Sequence, residues 1–177
     1  MKNKYLNEGN QTKITETIKD ISNSIEGSNI EYVFNALIWI HSNMGKIPEN
    51  IDKNSVFRKR TAEKIVKDGY VSGCTDYALV FIALCRAKDI PTKYVEVIKC
   101  SWLEDGNVRT INGHIFAECL IKDKWIQIDP QRGTMHTKTS YNGFEIFDEG
   151  LDSWDIGITD FDSLREKFED FKQKYNQ

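Results

Sequence analysis

The chain has 177 residues, 40% of them hydrophobic and 29% charged, with a formal net charge of −3. That length suits one domain with a sizeable core over residues 1–177, and four Trp, seven Tyr and nine Phe supply the bulk that disordered chains lack. No apolar run approaches the ~18 residues of a membrane span, the near-neutral charge offers nothing to nucleic acid, and the first ten residues lack the apolar core of a secretory signal; a cytoplasmic protein is expected.

Ile14, Ile18, Ile21 and Ile25 recur at helical spacing before Gly27, predicting an amphipathic outer helix over residues 12–26. A second helix runs from residue 28 or 29 to 44 through Val33, Phe34, Leu37, Ile38 and Ile40, and ends at Gly45 with Pro48 beyond. Residues 46–55 read as loop. Residues 56–68 read as helix, rich in Arg58, Lys59, Arg60, Lys64 and Lys67, until Gly69 breaks it.

The segment from Cys74 to Pro91 is helix by its flanks. Asp76 falls in its first turn, Arg86 and Lys88 in its last, and Pro91 marks the exit. Residues 78–85 are apolar on every face, so this helix runs through the core. Strands are predicted over 92–101, 113–121 and 124–129, with Lys122 and Asp123 forming a tight hairpin turn. Residues 131–159, with Gly133, Gly143, Gly150 and Gly157, read as irregular, and 160–175 as a closing helix bearing Leu164, Phe168, Phe171 and Tyr175. Helices, then an antiparallel meander, then a helix make an α+β chain.

Cys74, Cys85, Cys100 and Cys119 include no C-x-x-C pair and no tight His spacing, so neither a zinc site nor a disulfide framework is indicated. With His41, His114 and His136 the only histidines, Cys–His chemistry has few possible members. A thiolate is the reactive form of cysteine, and it is favoured at a helix N-terminus beside a histidine. Cys74 opens the buried helix, and Gly73 before it lets a substrate come close. The backbone N–H of Cys74 points where an oxyanion would form. His114 begins the second strand behind Gly113, and Asp129 ends the third before Pro130, so the hairpin brings them to the same end of adjacent strands. A carboxylate there can hold one imidazole nitrogen and fix the tautomer.

Three blocks carry a family resemblance: Gly73, Cys74, Thr75 and Asp76 before an apolar helix; Gly113, His114, Ile115, Phe116, Ala117 and Glu118; and Lys124, Trp125, Ile126, Gln127, Ile128, Asp129 and Pro130. With the segment from Arg86 through Pro91 to Val95, they resemble the transglutaminase-like core of the papain-like thiol enzymes, in single-domain members of bacterial or archaeal type. The resemblance covers roughly residues 30–132. It implies a central helix packed on an antiparallel sheet, with Cys74 as nucleophile, His114 as general base and acid, and Asp129 as orienting carboxylate. The family holds crosslinkers, proteases, amidases and inactive scaffolds. A side-chain oxyanion donor is not evident upstream of Cys74; Tyr70 and Trp39 are the candidates. Asp76 opposes thiolate formation unless it points away or pairs elsewhere.

Cys85 lies about 16 Å along the helix from Cys74, too far for a disulfide, and reads as structural. Cys100 and Cys119 fall in strand patterns, His41 and His136 outside any block with a cysteine, and Trp125 suits either a wall of the hairpin or the core. Residues 53–67 carry six basic residues and one acid, and 139–164 seven acids and no base. These suit two solvated faces, or a charged cleft in which the acidic segment, as a lid or substrate loop, would favour cationic peptides.

The expected activity is hydrolysis of a peptide or side-chain amide in a peptide or protein substrate, through an acyl-thioester on Cys74, with Gly73, Gly113, Tyr70 and Trp39 near the substrate. It needs no metal or organic cofactor. Glutamine-directed acyl transfer to an amine and an inactive binding scaffold are the alternatives, and oligomeric state has no sequence signal.

Overall fold

A computed structural model describes residues 2–105 and 111–177. After a 3-10 turn over Lys2–Leu6 the chain forms α1 (Glu16–Ser24), α2 (Ile30–Asn43), β1 (Gly45–Lys46), α3 (Lys53–Val56), α4 (Ala62–Asp68), β2 (Tyr70–Val71) and α5 (Cys74–Ala87). Then come β3 (Thr92–Lys99), α6 (Cys100–Glu104), β4 (Gly113–Ile121), β5 (Lys124–Asp129), β6 (Thr134–His136), β7 (Phe144–Gly150) and α7 (Phe161–Tyr175). The α+β reading holds. The large sheet has the order β6-β5-β4-β3-β7 and is antiparallel throughout.

The central helix α5 is buried from Thr75 to Arg86 apart from Tyr77, with α1, α2 and α4 packed on it and β3 and β4 beneath it. Strand alternation turns Ile115, Ala117 and Cys119 into that core, while Val95, Val97 and Phe116 form a smaller cluster with Tyr141 and Phe144. Lys122 and Asp123 both take positive φ, 47° and 63°, as a two-residue primed turn requires.

Five sequence expectations change. The outer helix starts at Glu16, capped by Thr15, because Gln11 and Thr12 are spent on buried contacts: Gln11 Nε2 donates to the carbonyls of Arg58 and Arg60, and Arg86 to Thr12 Oγ1. The helix expected over 56–68 is reduced to α4, which starts only after Arg58 adopts φ 56°, and the loop expected over 46–55 holds most of the short helix α3. Cys100 opens α6 instead of ending a strand, since β3 stops at Lys99.

The stretch 131–159 is the largest change, because it supplies β6 and the edge strand β7. β7 carries Glu145, Asp148 and Glu149, residues depleted in strands, which hides it from propensity. Its register against β3 slips between Glu96 and Val97, passing over Phe147, which packs on Phe168 and Phe171 of α7. α7 keeps its expected place, and Asp160 and Ser163 close a capping box at its start.

Candidate active site

α5 begins at Cys74 with Gly73 as N-cap, so no cap side chain is present at the point where the thiol emerges. Asp76, in the first turn, instead ties the helix start to the residues before it. Its Oδ2 accepts from the Ser72 N–H at 2.7 Å and the Ser72 hydroxyl at 2.6 Å, and it is ion-paired with Arg60. The carboxylate that could have opposed a thiolate is thus turned to the other side of the helix start and neutralised there. The Cys74 N–H, being first in the helix, has no intrahelical carbonyl to reach.

His114 stands at the start of β4. The hairpin register pairs Ala117 with Ile128, which sets Asp129 two positions from His114 across the strands, within side-chain reach. His114 Nε2 lies 2.8 Å from Asp129 Oδ2, and the other carboxylate oxygen accepts from the Arg132 N–H at 3.0 Å. The Cys74 thiol is near enough to act on the charge of the imidazole, and both residues line one pocket. With Nε2 held by Asp129, Nδ1 is the ring nitrogen that remains for the sulfur. Phe116 holds the ring edge-on at 4.9 Å between centroids.

Burial disfavours the charged imidazole, but the hydrogen bonds and charges of Asp129 and Cys74 outweigh it, and His114 is raised to about 9. Burial likewise works against ionised Asp129, and the His114 hydrogen bond overrides it, holding the carboxyl below its ordinary value. The three residues expected to act together are brought together, and Asp129 is 1% exposed.

Cys74, Gly113 and His114 border a pocket of about 330 Å³. Lys53, Asn54, Arg58 and Glu96 supply its polar lining, and Phe57, Ile111, Phe161, Leu164 and Phe168 its apolar lining. A Cβ on Gly73 would meet only Lys53 Nζ, at 4.0 Å, so the approach to Cys74 is open. Gly113 serves packing: a Cβ there would sit 2.8 Å from the Phe168 ring and from the Val97 carbonyl.

Tyr70 and Trp39 do not line this pocket; Tyr70 lies under the Arg60 guanidinium at 4.3 Å. Trp125 is also elsewhere, edge-on to Tyr5 and beneath Lys93. His41 hydrogen-bonds the Pro130 carbonyl at 2.9 Å and so braces the turn after Asp129. Arg58 and Arg60 are not on a solvated face: they are 3% and 5% exposed, Arg58 in a two-pronged pair with Glu96. Of the acidic stretch, Asp160 and Asp162 come nearest the pocket, beyond Phe161 and beside Lys59. Sequence reading missed Lys53, Asn54 and the α7 wall. The only signal was the Phe161, Leu164, Phe168 spacing, which equally suits a helix packed on a core.

Among the described residues no cluster of His, Cys, Asp or Glu could hold a metal ion, and no helix is long and apolar enough to cross a membrane.

Against known proteins, the sequence matches the transglutaminase-like superfamily over residues 8–130, starting earlier than the motif blocks alone suggest. The structure is similar to that of a candidate cysteine protease from Cytophaga hutchinsonii, with a TM-score of 0.62 and 21% identity. That likeness covers 87% of this chain and 48% of the other, so the chain spans about half the length of the Cytophaga protein. A candidate protease from Parabacteroides distasonis gives a TM-score of 0.45 at 15% identity, over 72% of this chain and 25% of that one. No curated protein matches the sequence.

Proposed function

The chain belongs to the transglutaminase-like superfamily, and from that premise we propose that it is a thiol hydrolase cleaving an amide of a peptide or protein through an acyl-thioester on Cys74. The observation that carries the reading is that Cys74 and His114 line one pocket while Asp129 hydrogen-bonds the far side of the imidazole.

In the proposed cycle Cys74 Sγ, as the thiolate paired with imidazolium His114, attacks the amide carbonyl carbon. The carbonyl oxygen gains the electron pair and is stabilised by the Cys74 N–H. His114 Nδ1 gives its proton to the leaving nitrogen, the C–N bond breaks, and the thioester remains. Water enters, His114 takes its proton, and attack on the thioester returns the free acid and the thiol. Asp129 fixes the ring so that Nδ1 faces the sulfur and steadies the imidazolium. Lys53, the side-chain cation beside Gly73, is the second donor to the oxyanion in this reading.

Two assays test it. Turnover of a quenched peptide library, lost in Cys74→Ala, supports hydrolysis. Efficient incorporation of a primary amine into a glutamine peptide would replace water with an amine as second nucleophile. Iodoacetamide labelling of Cys74 that is slow at neutral pH and indifferent to His114→Ala would leave only a binding scaffold.

A further inference from the structure

One wall of the pocket beside Cys74 comes from a part of the chain outside the superfamily match, which ends at residue 130. Phe161, Leu164 and Phe168 of α7 form one wall, and Phe57 and Ile111 complete the apolar lining. We propose that this pocket receives an aromatic or large aliphatic side chain of the acyl donor, and that α7 sets the preference. The inference rests on the reading of Cys74 as the nucleophile and names its substrate class.

Its volume, about 330 Å³, is at the lower end for ligand sites and suits one side chain with its flanking backbone. Phe161 is 40% exposed at the rim, edge-on to Phe57 with 6.1 Å between ring centroids. A large apolar ring left half in water at the mouth of a pocket gains by being covered, and an apolar side chain is what covers it without stranding a polar group.

Charge points the same way. Among the described residues Glu96 is the one carboxylate in the lining, and both its oxygens are held by Arg58. Lys53 has no carboxylate partner among the described residues. A basic side chain would therefore find no counter-charge and a like charge at the entrance. An acidic one would meet Lys53 only by giving up water against the phenylalanine rings. This departs from the cationic preference that the acidic segment suggested.

The same wall touches the chemistry. Phe168 fits against the bare Cα of Gly113, directly before His114, so the pocket wall and the strand carrying the imidazole are packed as one unit.

The test uses quenched peptides in which each residue flanking the scissile amide is varied in turn among Phe, Leu, Gly, Asp and Lys. At one position Phe and Leu should exceed Gly, Asp and Lys in kcat/KM by roughly tenfold to a hundredfold. Phe161→Ala should pull the Phe-to-Gly ratio towards unity, while Phe34→Ala, on the far helix α2, leaves it in place. A flat series, or a ratio untouched by Phe161→Ala, overturns the proposal while leaving the thiol chemistry standing. If no peptide is cleaved, the same peptides are titrated into Cys74→Ala by fluorescence anisotropy. Tighter binding of the Phe peptide than the Gly peptide then supports the pocket although hydrolysis has failed, and equal binding overturns it.

Discussion

Cys74 and Cys85 sit eleven residues apart on one helix, and their surroundings differ in nearly everything that governs a thiol. Cys85 is fully buried; burial, and then the neighbouring Cys119, push its thiol well above the ordinary range. Cys74 is half-buried and opens onto a pocket that it lines together with His114. Residue type and secondary structure are the same in both. Reactivity is decided by the helix end, where N–H groups are free and a second element can bring an imidazole, against the helix middle, where packing admits neither.

The sharpest way to break this contrast is to delete each sulfur in turn. Cys74→Ala should cut kcat by roughly 10⁶-fold; measurable turnover above 1% of wild type would contradict it. The imidazole comes next. His114→Ala should cost roughly 10⁴- to 10⁶-fold and slow iodoacetamide labelling of Cys74 towards that of an isolated thiol, which mass spectrometry reads peptide by peptide.

Asp129→Asn should cost roughly 10²- to 10⁴-fold in kcat/KM and move the His114 titration, followed by NMR, downward from about 9. The sign follows from the raised value. Imidazolium at His114 contributes stability that is complete below about 6.5, its ordinary value, and that is lost as pH rises through about 9. The same charge is needed for the ion pair, so activity should fall on the alkaline side near pH 9 in the wild type. A profile still rising above pH 9 would refute this.

Lys53→Met should lower kcat by about 10²-fold with little change in KM if the cation meets the oxyanion. A rise in KM at constant kcat would assign it to ground-state binding instead. The smallest effect on turnover belongs to the other thiol. Cys85→Ala should leave kcat/KM within about twofold and lower stability by about 1–2 kcal/mol through the space it opens in the core, as measured by urea denaturation.

The sequence made the helix that opens at Cys74 legible, because a glycine before it, an apolar stretch through it and a proline after it agree with one another. The β4–β5 hairpin was equally legible, since its strands are short-range partners and its two-residue turn fixes their register. Both sites of the Cys–His–Asp path lie on these elements, and so their meeting could be foreseen. What failed depended on distant partners. Arg58 and Arg60 read as surface charges because Glu96 and Asp76, which neutralise them, come from elsewhere in the chain. β7 is a strand only because β3 offers it an edge.

Local order in the chain therefore determined the elements that hold Cys74, His114 and Asp129 and the ends of those elements at which they stand. Tertiary structure alone decided what stands around them: the arginines that turn inward, the edge strand, the lysine beside Gly73 and the α7 wall of the pocket. The physical reason is that capping, periodicity and hairpin register act over a few residues, whereas burial of a charge or the closing of a pocket depends on which remote surfaces meet.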